Sequence, residues 1–138
     1  MKRIGIALAL AAGLAAHSLL AAAQAPVTPL PPRASTENGV TVTAKPGNLA
    51  RGAKTWEFEI VLDTHSQDLG DDLVKSAVLV DGQGRQHRPT GWDGAAPGGH
   101  HRKGVLRFDP ISPSPRVIEL QIRRPGEARP RVFRWELG

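Results

Sequence analysis

The chain of 138 residues contains no cysteine, no tyrosine and only three Trp and three Phe. Without thiols there is no disulfide to staple the fold, no thiolate nucleophile and no soft metal ligand, so a folded domain must be held by its apolar core alone. No run of Lys and Arg exceeds two residues, and with so few aromatics the clustered cations and stacking rings of a nucleic-acid groove are missing. No nucleic-acid partner is expected. The chain also lacks a Gly-x-Ser-x-Gly elbow, a phosphate-binding Gly-rich loop, a His-Glu-x-x-His helix and a dinucleotide fingerprint, so no enzyme is expected. No stretch carries a sustained apolar stripe of period 3.6, and no internal repeat is present, which argues against a helical bundle or a solenoid.

Lys2 and Arg3 precede an unbroken run of apolar residues and glycine from Ile4 to Ala16. That run falls short of the roughly 20 apolar residues of a membrane span and passes into Ala21-Ala22-Ala23, the small residues a signal peptidase accepts. Residues 1–23 are therefore expected to be a cleaved signal peptide. With no cysteine to carry a lipid, the product is a periplasmic or secreted protein with no membrane span after cleavage. Losing Lys2 and Arg3 reduces the 18 Lys and Arg to 16 against 13 Asp and Glu, a net +3. About 115 residues remain, enough for one domain and too few for two.

Pro26, Pro29, Pro31 and Pro32 disfavour helix and remove backbone donors, so residues 24–38 are expected to be an extended tether to a domain at 39–138. Within that domain Trp56, Phe58, Ile60 and Leu62 stand at every second position with Glu57 and Glu59 between them, Ile118, Leu120 and Ile122 alternate with Glu119 and Gln121, and Phe133, Trp135 and Leu137 alternate in a last strand. Period-two alternation marks strands with one buried face. Ala77-Val78-Leu79-Val80 reads as a more buried strand, Asp81-Gly82-Gln83-Gly84 as a hairpin turn returning through Arg85 to Thr90, and Gly91 to Lys103 as a glycine-dense loop. One helical turn is expected around Asp68 to Val74. About seven short strands with turn signals every ~8–12 residues predict an all-β, immunoglobulin-like antiparallel sandwich, expected as a monomer.

Four histidines, His65, His87, His100 and His101, lie beyond the signal segment. Asp63 and His65 flank the end of the clearest strand; if its alternation persists, both project on the non-core face. His100 and His101 precede another strand, and loops at one end of the sandwich would bring them to the first pair. Imidazole and carboxylate donors suit Zn or Cu, so Asp63, His65, His100 and His101 form the candidate metal site. Two features oppose it: neighbours on an extended chain point apart, and Arg102 and Lys103 put positive charge beside the cation. The alternative is a protein-interaction or structural module whose histidines brace loops, with Asp63 paired to Arg102. His87, alone in a hairpin arm, is expected to face solvent. Asp68, Asp71 and Asp72 offer hard oxygen ligands for calcium but lack the spacing of an EF-hand loop, and read better as a helix end. Trp92 either plugs the open end of the sandwich or is presented to a partner.

The stretches Trp56 to Ser66, ending Thr64-His65-Ser66, and Gly99 to Phe108, opening Gly99-His100-His101-Arg102, resemble a family of small exported bacterial and archaeal domains of unknown function; more loosely, the strand order and the Asp81-Gly82 hairpin resemble exported immunoglobulin-like domains. The resemblance spans roughly Thr55 to Leu137. It implies the β-sandwich and points to the same histidines, without implying a substrate. The partner is thus expected to be a metal ion or an unidentified protein.

Overall fold

The alternating segments pair as nine strands in a computed structural model that describes residues 28–138; the expected signal peptide lies outside them. The elements are β1 (Arg33–Glu37), β2 (Val40–Pro46), β3 (Trp56–Thr64), α1 (Leu73–Ser76), β4 (Ala77–Asp81), β5 (Gln86–His87), β6 (Gly91–Gly94), β7 (His101–Phe108), β8 (Val117–Ile122) and β9 (Arg131–Glu136). They form two antiparallel sheets, ordered β1-β2-β3-β7-β6 and β5-β4-β8-β9. Setting β1 and β5 aside, β2-β3-β7-β6 and β9-β8-β4 reproduce the ABED and GFC sheets of an immunoglobulin sandwich strand for strand, and β5 takes the C′ place beside β4. The all-β, immunoglobulin-like expectation therefore holds, with two short strands beyond the expected seven.

The core is what the alternation dictates. Val42, Phe58, Ile60, Leu62 and Leu106 of one sheet meet Leu79, Ile118, Leu120 and Phe133 of the other, all fully or almost fully buried. Phe58 centres the packing, edge-on to Phe108 at 5.6 Å and tilted against Trp135 at 5.7 Å, separations at which aromatic pairs add to simple burial.

Three local expectations are corrected. The segment expected to be tether up to residue 38 contributes β1, because Asn38 (φ 49°) and Gly39 (φ 75°) form a two-residue turn with both residues left-handed, and this folds Arg33–Glu37 back on β2 in register Glu37↔Val40. The helical turn lies later, at Leu73–Ser76, with the Asp72 side chain accepting from the Lys75 N–H. The loop expected from Gly91 to Lys103 contains β6 and the start of β7, where Gly94 and Gly104 sit opposite each other. The indole of Trp92 requires that glycine pair: a Cβ on Gly104 would lie 2.5 Å from Trp92 Cζ2 and 2.7 Å from Gly94 Cα. Trp92 covers the edge of the sandwich, half-buried against the core, its Nε1 donating to the Ala95 carbonyl at 3.0 Å and the Arg102 guanidinium 5.4 Å from the ring centre.

Candidate functional site

The strands β3 and β7 bring Asp63 and His101 face to face, directly opposite in register, and His101 Nδ1 is hydrogen-bonded to Asp63 Oδ1. Both side chains are exposed. They stand at the end of a series: Arg107 Nε donates to Glu57 at 3.1 Å, Lys103 lies 3.3 Å from Glu59, and Arg107 Nη2 donates to Asp93 on β6 at 3.1 Å. Apart from Val61 and Val105, the outward positions of β3 are acidic and those of β7 basic or histidine, so the two strands are laced by cross-strand pairs on the solvent face, of which Asp63–His101 is the last. Glu57, then Asp93, raise the pKa of the Arg107 guanidinium.

The other two expected ligands do not join them. The regular strand ends at Thr64 and the chain bends at His65, so the alternation that would have set His65 beside Asp63 stops one residue early. His100 lies in the bend just before β7, where its carbonyl accepts from the Thr64 N–H at 2.9 Å. Both imidazoles are exposed. Among the described residues no group of three His, Asp or Glu side chains converges in a metal-binding arrangement. The same holds for the three aspartates considered for calcium, which are spent separately: Asp68 Oδ1 accepts from the Gly99 N–H at 3.0 Å, Asp71 is buried in an ion pair, and Asp72 caps α1.

The loops at this end are held by other groups. Thr64 is the active residue of its Thr-His-Ser piece: its hydroxyl donates to the Gly39 carbonyl at 2.8 Å and accepts from the N–H groups of Ser66 and Gln67, both at 3.2 Å. Leu69 N–H donates to the Gly99 carbonyl and Gly98 N–H to the Leu69 carbonyl, so the two loops zip together by their backbones.

Arg102, expected to repel a cation or pair with Asp63, does neither. Alternation along β7 turns His101 and Lys103 outward and Arg102 inward, where it is 2% exposed and donates to the carbonyls of Asp71 (2.5 Å), Leu69 (3.3 Å) and Ala95 (3.1 Å). Asp71 in turn receives Arg124 on both oxygens, at 2.9 and 3.1 Å. Arg124 reaches Glu127 at 3.3 Å, and Glu127 receives Arg131 at 2.6 and 3.0 Å. Arg131 finally donates to the carbonyls of Ser35, Val40 and Glu37 across the β1–β2 turn. The Arg131 hydrogen bond, against the opposing effect of burial, holds the Glu127 carboxyl below its ordinary range. Neither Arg124 nor Arg131 is singled out in the sequence, and Arg102 is considered there only as a cation beside Asp63 and the histidines. A signal was available for Arg102 and Arg131, which sit in the inward phase of alternating strands, where a cation must find several acceptors.

His87, expected in solvent, is only half exposed, with its Nε2 3.1 Å from Asp81 Oδ2. Asp81 also accepts from the N–H groups of Gln83 and Arg85 and from the Arg85 guanidinium. Burial by itself would raise this carboxyl, but the hydrogen bonds from His87, Gln83 and Arg85 together hold it far below the usual carboxylate range.

The two outward faces differ. On the sheet β5-β4-β8-β9, Val78, Val80 and Val117 are half-buried and Val132 is 50% exposed, with Val78, Gln121 and Val132 forming one row across three strands. Glu119 and Arg134, 3.1 Å apart, fill the next row. Comparison with protein-family models, with curated proteins and with solved structures found no match, so every functional inference rests on this chain's own geometry.

Proposed function

We propose that this protein is an exported, non-enzymatic binding module that docks a protein partner on the outward face of β4, β8 and β9, its histidines serving to brace strands and loops. The observation that carries the reading is the contrast between the faces. The face of β3 and β7 carries three cross-strand charge pairs around the half-buried Val61 and Val105, whereas the opposite face carries one, Glu119–Arg134, and presents Val78, Val80, Val117 and the exposed Val132. Partly exposed valines in neighbouring rows give a partner apolar area to remove from water, and Glu119–Arg134 gives it a polar contact for register. The export signal and the cysteine-free, monomeric domain fit a module that works outside the cytoplasm. A copper or zinc role keeps one supporting feature, the Asp63–His101 pair, which supplies two donors where a stable site draws on three or four.

Site-specific photo-crosslinking in the native envelope tests the docking face. A crosslinker at Val132 or Val78 is expected to trap one discrete partner, and one at Thr43 or Val105 on the other sheet is expected to trap none. Equal trapping from both faces would refute the assignment.

A further inference from the structure

A second feature borders the valine face and shares Val78 and Gln121 with it, but the inference drawn from it rests on other residues and not on the docking proposal. A cleft of about 630 Å³ opens where α1, the start of β4, the end of β5 and the β8–β9 turn meet. We propose that this cleft binds a small oxyanion ligand carrying at least two carboxylate or phosphate groups.

Lys75, Arg88 and Arg123 stand exposed on its rim. Each guanidinium is barely committed: Arg88 Nη1 makes one long contact, 3.4 Å, to the Lys75 carbonyl, and Arg123 Nη1 one of 3.4 Å to the Ala128 carbonyl. Neither arginine is salt-bridged among the described residues, in contrast to Arg107, which serves Glu57 and Asp93 at once. Lys75 has only the solvent-exposed Asp72 at 3.6 Å, a pair that water and salt largely screen.

The nearby carboxylates do not neutralise the rim. Glu127 lines the cleft but is buried between Arg124 and Arg131, and Asp71 behind it is engaged by both arms of Arg124. Asp72, also on the lining, offsets Lys75, so the uncompensated charge is that of Arg88 and Arg123, which faces outward across walls carrying the amides of Gln86 and Gln121. Ser76, also on the wall, has a buried hydroxyl with no hydrogen-bond partner, a costly state that a rotation toward a ligand oxygen would relieve. Arg88 follows β5 and Arg123 follows β8, the strands on either side of β4; forked guanidinium donors recognise carboxylate and phosphate by paired hydrogen bonds, and two so placed favour a ligand with two such groups over one.

The test uses the chain from residue 24 onward, which carries every described strand, labelled with ¹⁵N and titrated with citrate and with pyrophosphate at matched ionic strength, acetate serving as the single-charge control. Saturable shifts confined to the amides of residues 75–78, 86–88 and 121–127, with a Kd below about 1 mM for citrate or pyrophosphate and no saturation by acetate, are the expected result. The tighter of the two names carboxylate or phosphate as the preferred group. In Arg88→Gln/Arg123→Gln, whose side chains are exposed and whose spectrum should otherwise match the wild type, affinity should fall at least about tenfold. Non-saturating shifts shared by all three anions, or wild-type affinity in the double variant, would overturn the proposal.

Discussion

Gly104 is a residue whose importance comes from what it lacks. Its missing side chain lets Trp92 lie across the sheet edge and lets Gly94 approach, so Gly104→Ala places a methyl group 2.5 Å from the indole. Overpacking of this kind costs about 1–3 kcal/mol. A urea midpoint lowered accordingly, with m unchanged, is expected; Gly91→Ala, where an added Cβ meets nothing within 4 Å, should leave the midpoint near that of the wild type. Asp81 sets a second residue-level expectation. Its carboxyl is held below its unfolded value, so its stabilisation is fully present above about pH 4 and is lost as the pH falls toward the folded value. Thermal unfolding followed from pH 7 to pH 2 should show a declining midpoint, and Asp81→Asn should start lower at pH 7 and decline less steeply; parallel curves would show that Asp81 does not carry the acid sensitivity. The sequence puts Asp63 and His65 on one face and offers His100 and His101 as loop partners, whereas the paired strands set His101 against Asp63. His65 and His100 were wrongly joined to them because a chain's departure from extended geometry, here directly after Thr64, leaves no mark in residue type. Arg102 was misplaced for a related reason: charge suggested the surface, and its phase in β7 required the interior.

Among the elements, the β1–β2 hairpin depends on a contact remote in sequence. Arg131 on β9 donates to three carbonyls around the turn, which tethers β1, an edge strand of polar, mostly exposed residues, to the other sheet. Arg131→Lys preserves a charge for Glu127 but loses the fork that spans those carbonyls. Hydrogen exchange at the β1 amides is expected to rise at least about tenfold in this variant, while the β3–β7 amides keep their protection. Uniform acceleration across both sheets would mean that Arg131 supports the whole fold and not the hairpin in particular. The long strands were legible because Trp56 to Leu62 and Ile118 to Ile122 alternate cleanly. The shorter ones were not. Asn38-Gly39 is a two-residue turn signal, but the prolines before it make the segment read as tether, and β6 is bounded by glycines that read as loop because the ring they accommodate is a tertiary feature.

For the whole molecule, the alternation and turn spacing were enough to specify the sandwich, and the strand order adds the immunoglobulin arrangement. Function was less legible. Histidines draw notice as chemistry, whereas the proposed docking face of Val78, Val80, Val117 and Val132 resembles any half-buried strand until the sheets are assembled and, among the described residues, that side carries no covering element. Under the proposed function the histidine-bearing end braces the fold and holds no metal. Calorimetric titration of the chain from residue 24 onward with Cu²⁺ and with Zn²⁺, beside His101→Ala, tests it most directly. No stoichiometric binding in the micromolar range and the same weak heats in the variant are expected; one equivalent of metal bound with sub-micromolar affinity and lost in His101→Ala would contradict the proposal.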